Sequence, residues 1–433
     1  MIQFPKKNED LTQWLQDNPS FCPLPFTNLF NHGGEIGPCC YWRSENKPNF
    51  SENVWLGPAF QELRNDIASG QKHKGCNYCY QTESWGGTSD RLIYSQIHLN
   101  SDRRDYIQDV IENYPNKELK IKEILFKFSN FCNLSCRSCS SWDSSLYAKM
   151  VNEPEERAVT FAVDRSQVED EWQFLLNSLG NGIQLQLVGG ETMIQPGLER
   201  LLDHLIEKQY FDTEIILTTN GTSFIKRIVD KLALFKTSIF LSIDSVGQNY
   251  EYLRWPARFE KIETNLNEFL NNEKIQYTVT CVTYLNNIFY FKDILDYWHQ
   301  TSIEKNWPRI GFSPVLLMNK AWYEIKILPN EYKQNLKTYL TGINEHPIFS
   351  NDKFSIQKHS KENIANFLDF CDSTTENLDM FQTYLKETAE WDVRTNQDMS
   401  VFNSRLWDCL SADDKNYYCQ CKEKFLGGAT GRI

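Results

Sequence analysis

The stretch FSNFCNLSCRSCSSWD, residues 128–143, places Cys132, Cys136 and Cys139 in one short segment with no fourth cysteine nearby. Thiolates are the usual protein ligands of a four-iron cluster, which has four corners. Three thiolates therefore leave one iron free, just as a catalytic zinc keeps one coordination position open. The triplet predicts a metal centre that can bind a substrate or cofactor directly. For this motif alone, a zinc site or a disulfide knot is the alternative.

The cysteine content of the whole chain also favours metal over disulfides. Thirteen cysteines occur in 433 residues, and the first residues, MIQFPKKNEDLTQWLQDNPS, lack the layout of a secretory signal. We therefore expect a cytoplasmic protein, in a compartment that keeps thiols reduced. No apolar run approaches the roughly 18 residues needed to span a bilayer, so no membrane association is expected.

The bulk composition predicts a folded protein that does not bind nucleic acid. Hydrophobic residues make up 41% of the chain and aromatic residues 14%, which is enough for a large core. Acidic residues outnumber basic ones by 57 to 45, giving a net charge of −12. Phosphate-binding surfaces are broadly basic, so nucleic acid is not an expected partner.

Short apolar runs alternate with amphipathic stretches from residue 122 onward. The predicted strands are 123–129, 183–190, 214–221, 238–244, 275–283 and 309–315. The predicted helices between them are 197–209, 223–235, 259–272 and 291–300, with apolar residues at three-and-four spacing. Strands that alternate with helices imply a parallel sheet, either doubly wound or in an open barrel.

The two ends of the chain differ from this middle region. Before residue 122 the sequence is loop-like and rich in Gly, Pro, Asn and Cys, with one predicted helix at 58–70 ended by Gly70. Such a composition predicts a small unit held by metal rather than by a hydrophobic core. After about residue 325 the pattern is mostly helical, for example at 329–343 and 377–391.

The cysteine triplet, lying directly after the first predicted strand, resembles the signature of the radical SAM superfamily. This resemblance implies an α/β fold, a partial (β/α)6 TIM-like barrel at residues 120–320. A cysteine-rich module at 1–119 would precede the barrel, and a C-terminal helical region at 321–433 would follow it. It also implies that S-adenosylmethionine binds the open iron of a [4Fe-4S] cluster through its amino and carboxylate groups.

Further residues at the ends of the predicted strands match this family. The resemblance assigns cofactor-binding roles to Gly189, Gly190, Glu191, Asn220, Ser242, Asp244 and Arg254. In relatives, the glycine-glycine-glutamate segment contacts the methionine amino group, the serine contacts the ribose, and the arginine pairs with the methionine carboxylate. A carboxylate suits an ammonium and an arginine suits a carboxylate, so these assignments are chemically reasonable. All would lie on one rim of the barrel.

Two positions depart from the family pattern. Ser138 stands where many relatives carry a bulky residue packed near the adenine, and Tyr147 or Trp142 is a candidate to replace it. Thr192 replaces the proline that commonly follows the glutamate. Neither position is a metal ligand, so these changes bear on cofactor affinity more than on the class of reaction.

The N-terminal cysteines form a second candidate metal site. The spacing of Cys22, Cys39, Cys76 and Cys79 resembles the auxiliary-cluster modules called SPASM and twitch, although these usually follow the barrel. Four thiolates close the coordination shell, so an auxiliary [4Fe-4S] cluster here would move electrons or position substrate. A structural zinc site is the alternative, and Cys40 could substitute as a ligand.

The remaining candidates carry weaker signals. Cys281, near the end of the fifth predicted strand, is a candidate hydrogen-atom donor or simply a small buried residue. Cys409, Cys419 and Cys421 are interpreted as free thiols, and Cys371 has no assigned role. The segment TESWGGTSDR, with Glu83, Ser89 and Arg91, resembles a stretch of twitch-containing relatives and is interpreted as a solvated loop. The seven histidines show no ligand pattern.

Together these features predict an enzyme that cleaves S-adenosylmethionine to a 5′-deoxyadenosyl radical. An external reductant of flavodoxin or ferredoxin type would supply the electron, and the radical would abstract hydrogen from a peptide or small-molecule substrate. Two other classes of protein remain open: a non-catalytic zinc or iron-sulfur scaffold, and a redox carrier that binds no S-adenosylmethionine.

Overall fold

The computed structural model describes residues 4–6, 9–32, 34–45, 54–84, 87–307, 310–317, 320–356 and 376–429. The chain divides into two compact units that are interleaved along the sequence. The first unit comprises residues 1–129, 163–188 and 196–216, and the second comprises 130–162, 189–195 and 217–433. The predicted division at 1–119, 120–320 and 321–433 follows chain order and stays a prediction.

The first unit contains a sheet built on an N-terminal hairpin. Its strands are β1 (Asn28–His32), β2 (Glu35–Gly37), β3 (Glu123–Lys127) and β5 (Gln184–Val188), in the order β2-β1-β3-β5. Strands β1 and β2 are antiparallel, whereas β1 with β3 and β3 with β5 are parallel. The register pairs Phe30 with Leu125 and Leu125 with Gln186. The sequence pattern did not predict β1 or β2.

The first unit also contains helices, and most of them lie before residue 122. The α-helices of the first unit are Leu11–Asp17, Leu24–Thr27, Pro58–Ser69, Asn77–Ser84, Asp90–Leu99, Arg104–Glu112, Glu169–Ser178 and Pro196–Glu207. Helix Pro58–Ser69 ends as predicted at Gly70, whose φ of 84° is left-handed and whose N–H bonds Asp66 O and Ile67 O.

The expectation that the N-terminal region lacks a hydrophobic core is wrong. Buried apolar side chains pack into one cluster there, including Trp14, Phe21, Phe26, Leu63 and Ile107, and three cysteines lie against it. Four of these five residues lie in four separate helices, and Phe21 lies between two of them. Each helix therefore contributes only a few apolar positions, and no single helix shows a long periodic pattern.

The second unit contains the later strands of the predicted alternation. They are β7 (Lys236–Ser242), β9 (Gln276–Thr283), β10 (Ile310–Leu316) and β11 (Phe354–Ile356), all parallel, in the order β7-β9-β10-β11. Strand β6 (Glu214–Thr219) begins in the first unit and ends in the second. A separate antiparallel pair joins β4 (Ser135–Cys136) to β8 (Arg254–Trp255). Every predicted strand is present, with ends shifted by a few residues.

Helices follow these strands in the second unit. They are Ser145–Met150, Glu155–Ala162, Lys226–Leu232, Gly247–Leu253, Phe259–Leu270, Phe291–Glu304, Asn330–Leu340, Leu378–Thr395, Met399–Phe402, Ser404–Cys409 and Ala412–Ala429. In β7 and β9 buried positions alternate with half-buried ones. One face of these strands is thus fully covered, as expected where helices pack on a parallel sheet.

The α/β fold class is confirmed, with a mostly parallel arrangement of strands that alternate with helices. Among the described residues after 325, helices predominate, and the strand β11 (Phe354–Ile356) is an exception to the predicted helical pattern. Helix Leu378–Thr395 packs against helix Ala412–Ala429. Within the described ranges, no helix is both long and apolar enough to cross a membrane.

Candidate active site

The cysteine triplet lies in the segment that follows β3, and one of its members belongs to a strand. Cys136 is 8% exposed and is paired across the β4–β8 ladder with Arg254. Cys132 and Cys139 are half-buried. The N–H of Cys139 donates to the carbonyl of Cys136 at 3.0 Å, which closes a tight turn between them. The backbone thus directs three cysteines into one short, largely buried segment.

The three thiols share one electrostatic environment. Burial, reinforced by Cys136, raises the pKa of Cys132 to about 12. Burial also raises the pKa of Cys139 well above its ordinary value, again reinforced by Cys136. Deprotonated thiolates at these buried positions would repel one another, so a bound cation would stabilise them. Soft thiolate donors of this kind fit an iron-sulfur cluster.

Among the described residues, no three His, Cys, Asp or Glu side chains converge as they would on a single metal ion. In a cluster each thiolate binds a different iron, so its sulfur ligands are spread over separate corners.

Polar hydrogens approach two of the three sulfurs. The N–H of Leu134 lies 3.4 Å from the Sγ of Cys132, and the Asn220 amide nitrogen lies 3.9 Å from the same sulfur. The Nη1 of Arg254 lies 3.7 Å from the Sγ of Cys136. Hydrogen bonds of this kind stabilise a thiolate and orient it toward a metal.

Gly190 is required by close contact with the cysteine segment. A Cβ at this position would lie 2.4 Å from the carbonyl oxygens of Asn130 and Phe131. The next residue, Glu191, donates its N–H to Phe131 O at 2.9 Å. A Cβ on Gly189 would lie 3.0 Å from the Gln195 amide nitrogen. Gly190 therefore lets this segment pack against the backbone just before Cys132, while Gly189 leaves room for the Gln195 side chain.

Glu191 is fully buried, and its carboxylate connects two segments of the second unit through hydrogen bonds. Its carboxylate accepts hydrogen bonds from Met193 N at 2.9 Å, Thr219 Oγ1 at 2.6 Å and Asn220 N at 2.6 Å. Burial raises its pKa, and these three donors oppose the shift. The predicted contact with a methionine ammonium stays a prediction. In this conformation the carboxylate fixes the end of β6, and so the position of Asn220.

Asp244 and Arg254 form a buried ion pair. The Nε and Nη2 of Arg254 lie 2.9 Å and 2.8 Å from the Oδ2 of Asp244, whose Oδ1 accepts from Val282 N at 2.9 Å. Arg254 thus joins Asp244 to the sulfur of Cys136. Its predicted pairing with a methionine carboxylate stays a prediction. Ser242 ends β7 half-buried, and its hydroxyl forms no hydrogen bond within the described part of the chain.

Cys281 is completely buried in β9. Its thiol donates to the carbonyl of Asp244 at 3.4 Å and lies 3.9 Å from the hydroxyl of Thr283. Burial raises the pKa of this thiol. The environment is that of a small buried residue, and the hydrogen-donor role stays a prediction.

Arg137, between the second and third cysteines, was missed by sequence reasoning. It is fully buried and forms an ion pair with Asp392, which is also fully buried. The guanidinium lies 3.7 Å from the centre of the Tyr252 ring, and its Nε donates to Tyr252 O at 2.8 Å. Asp392 also accepts from the hydroxyls of Tyr252 and Tyr418. The two partners are 255 residues apart in sequence, so no local pattern predicts the pair.

Lys320 was also missed, and it lies against the cysteine segment. Its Nζ donates to the carbonyl of Arg137 at 2.8 Å and to the hydroxyl of Tyr147 at 3.1 Å. Burial lowers its pKa to about 8, opposed by Cys139, Glu387 and Cys136. The ring of Tyr147 lies 4.9 Å from the ring of Trp391, centre to centre, at a tilt of 30°. Its packing against adenine stays a prediction.

The N-terminal cysteines come together within the first unit. Burial raises the pKa of Cys22, with further contributions from Cys39 and Cys76. Burial raises the pKa of Cys76 to about 12, with Cys79 as the next cause. The four predicted ligands therefore form one connected network of thiols. Cys40 is exposed, and its sulfur lies 3.9 Å from the Asp90 carboxylate.

The interpretation of residues around Glu83 and Arg91 as a solvated loop is wrong. Arg91 is 3% exposed, and its Nε and Nη2 lie 2.8 Å and 2.6 Å from the two carboxylate oxygens of Glu83. Its Nη1 donates to Phe21 O at 2.9 Å, directly before Cys22. Ser89 donates to the same carboxylate. The Glu83–Arg91 pair thus connects the chain shortly after Cys79 with the residue directly before Cys22.

The other cysteines lie near the C-terminus. Cys409 ends helix Ser404–Cys409, while Cys419 and Cys421 belong to helix Ala412–Ala429. Cys419 is exposed and the other two are half-buried. Cys371 lies outside the described residues.

One family model matches the central part of the chain. Residues 126–297 match the model of the Radical SAM superfamily. The chain is 24% identical over 166 residues to the radical SAM cyclopropyl synthase TigE of Paramaledivibacter caminithermalis, covering 34% of each protein. The matched segment thus spans about a third of that relative.

Solved structures were matched with low overall similarity. Native anSMEcpe with bound AdoMet is 20% identical with a TM-score of 0.39, covering 54% of this chain and 63% of that one. Streptococcus suis SuiB bound to precursor peptide SuiA is 14% identical with a TM-score of 0.35, covering 72% of this chain and 69% of that one.

The buried pair between Arg137 and Asp392 predicts a large loss of stability on neutralisation. Asp392→Asn leaves the guanidinium without a counter-ion, so we expect the free energy of unfolding to fall by roughly 3–5 kcal/mol. Urea denaturation of the purified chain measures this. Glu390→Gln, which breaks an exposed pair with Arg394 on the same helix, is the control and should cost about 1 kcal/mol or less. Equal losses in the two variants would contradict the assignment.

The Glu83–Arg91 pair predicts a similar but local effect in the first unit. Glu83→Gln removes one charge of a bidentate pair, and we expect a loss of about 1–3 kcal/mol because the arginine stays buried. Faster alkylation of Cys22 should accompany the loss, measured by mass spectrometry of the metal-free chain. Glu62→Gln, on the exposed face of helix Pro58–Ser69, is the control. An unchanged rate of Cys22 alkylation in Glu83→Gln would contradict the idea that this pair holds the backbone beside Cys22.

Proposed function

Because residues 126–297 match the model of the Radical SAM superfamily, we propose that this protein is an enzyme that cleaves S-adenosylmethionine reductively and abstracts hydrogen from a substrate. The observation that carries the proposal is the shared environment of Cys132, Cys136 and Cys139. Cys136 raises the pKa of both Cys132 and Cys139, and the segment contains no fourth cysteine. Three thiolates at one cluster leave one corner open for the cofactor.

The residues around the triplet would prepare this centre. The three cysteines would ligate a [4Fe-4S] cluster, and that cluster, when reduced, supplies the electron that splits S-adenosylmethionine into methionine and a 5′-deoxyadenosyl radical. Gly189, Gly190 and Glu191 position the backbone beside Cys132. These segments belong to the ends of parallel strands, where barrel enzymes place their sites.

Two polar groups at the ends of parallel strands are suited to bind the cofactor itself. The hydroxyl of Ser242 has no partner in the described part of the chain, so it is free to contact a ribose. The Asn220 amide nitrogen lies 3.9 Å from the sulfur of Cys132, so this side chain would lie next to a cluster held by the triplet. We propose that these side chains orient the cofactor, while the buried pair Asp244–Arg254 keeps Cys136 in place.

The first unit would hold an auxiliary [4Fe-4S] cluster through Cys22, Cys39, Cys76 and Cys79. Two observations support this proposal: these thiols raise one another's pKa, and Arg91 donates a hydrogen bond to the carbonyl directly before Cys22. Four thiolates leave no open iron, so the auxiliary cluster would transfer electrons or position the substrate.

We propose a peptide or a small molecule as the substrate, and a flavodoxin or ferredoxin as the source of the electron. The half-buried alternate positions of β7 and β9 support a binding surface on the second unit, because that face of the strands is left partly uncovered. A substrate bound there would be held away from bulk water, which protects a reactive radical from side reactions.

Iron content and S-adenosylmethionine cleavage test the proposal together. Anaerobically reconstituted protein should contain about eight irons, as two four-iron clusters require, and should release 5′-deoxyadenosine on addition of dithionite. Cys136→Ser should reduce the iron to about four and abolish 5′-deoxyadenosine release, because the remaining ligands cannot hold the open cluster. Liquid chromatography measures the product.

A cysteine of the other network is the matched control for this experiment. Cys76→Ser should also reduce the iron to about four, yet it should retain 5′-deoxyadenosine release, since the open cluster is unaffected. A wild-type chain that binds zinc and no iron would support the scaffold class instead. Iron-loaded protein that releases no 5′-deoxyadenosine and binds no S-adenosylmethionine would support the redox carrier.

A further inference from the structure

Lys320 is a buried cation that lies against the cysteine segment of the second unit. The residue is only 9% exposed. Its ammonium donates to two neutral oxygens, the carbonyl of Arg137 at 2.8 Å and the hydroxyl of Tyr147 at 3.1 Å. The nitrogen also lies 4.7 Å from the centre of the Tyr147 ring. These contacts fix the position of the charge without neutralising it.

Two other buried cations near the triplet have a carboxylate partner. Arg137 pairs with Asp392, and Arg254 pairs with Asp244. Lys320 forms no ion pair with a carboxylate in the part of the chain that the structure describes. Glu387 is near enough to act on it electrostatically, but contacts it neither as a hydrogen-bond nor as an ion-pair partner.

Buried charges in proteins are normally compensated, so the missing partner of Lys320 needs an explanation. The acidic groups that act on Lys320 electrostatically are Cys139, then Glu387 and then Cys136, so two of the three belong to the triplet. Its hydrogen bond to Arg137 O places it between these two cysteines along the segment. The lysine therefore lies where the negative charge of a bound cluster would be concentrated.

We propose that Lys320 is the counter-ion of the three-thiolate centre and that its charge makes the bound cluster easier to reduce. This inference rests on the proposed function. Reduction adds one electron from an external donor to the cluster and neither forms nor breaks a bond. A fixed positive charge close by stabilises the added negative charge, and burial strengthens the effect because water does not screen it. Lys320 would act through the cluster and would not itself touch the reacting atoms.

The test is a reductive titration of the reconstituted full-length protein, followed by electron paramagnetic resonance. Lys320→Met keeps the length of the side chain and removes its charge, so the midpoint potential should become more negative. For a unit charge several ångströms away, we expect the reduced-to-oxidised ratio at a fixed solution potential to fall on the order of tenfold. Tyr147→Phe removes a hydrogen bond and keeps the charge, so it should shift the potential much less.

Two further variants make the result specific. Lys326→Met neutralises a more exposed lysine that is paired with Glu324, and it should leave the potential unchanged. If Lys320→Met lowers the iron content, Lys320→Arg should restore both iron and potential because it restores the charge. Failure of this rescue would overturn the inference.

Failure of the inference and failure of the proposed function give different results. If Lys320→Met has the midpoint potential of the wild type while both release 5′-deoxyadenosine, the counter-ion role is wrong and the proposed function stands. If the wild type loads no cluster or releases no 5′-deoxyadenosine, the proposed function fails before any variant is compared. A shift in Lys320→Met equal to that in Tyr147→Phe would assign the effect to the hydrogen bond and would also overturn the counter-ion role.

Discussion

Repulsion among buried thiolates is the constraint that shapes the surroundings of both cysteine networks. Each thiol has a raised pKa because burial penalises its charged form and its neighbours add to the penalty. A metal ligand must nevertheless be a thiolate. The chain therefore has to supply polar hydrogens and cations around the sulfurs, and it must do so from segments that are distant in sequence.

The second unit meets this requirement with several kinds of contact. Backbone and amide N–H groups approach Cys132, while Arg254 approaches Cys136. Arg137, held by Asp392, anchors the turn between the second and third cysteines. The first unit uses one dominant contact, in which Arg91 is oriented by Glu83 and donates to the residue before Cys22. In both units a carboxylate fixes an arginine, and the arginine fixes the backbone beside a cysteine.

The alternation of strands and helices could be predicted because each element carries its own local pattern. Strand β9 and helix Phe259–Leu270 match the predicted elements closely, since apolar residues recur at the spacing of each structure. Strands β1 and β2 could not be predicted, because they are short and lie among glycines, asparagines and cysteines. The N-terminal core was missed for the same reason, its apolar residues being divided among short helices.

In the site, too, features set by neighbouring residues could be predicted, whereas contacts between segments distant in sequence could not. By itself the sequence determined the triplet, the four N-terminal cysteines and the segments around Glu191 and Asp244, because ligand spacing and strand ends are local features. Only the tertiary structure decided that Glu191 brackets β6, that Arg254 is paired with Asp244, and that Arg137 is paired with Asp392. Charge pairing depends on which side chains meet after folding, and partners up to 255 residues apart leave no periodic signal in the chain.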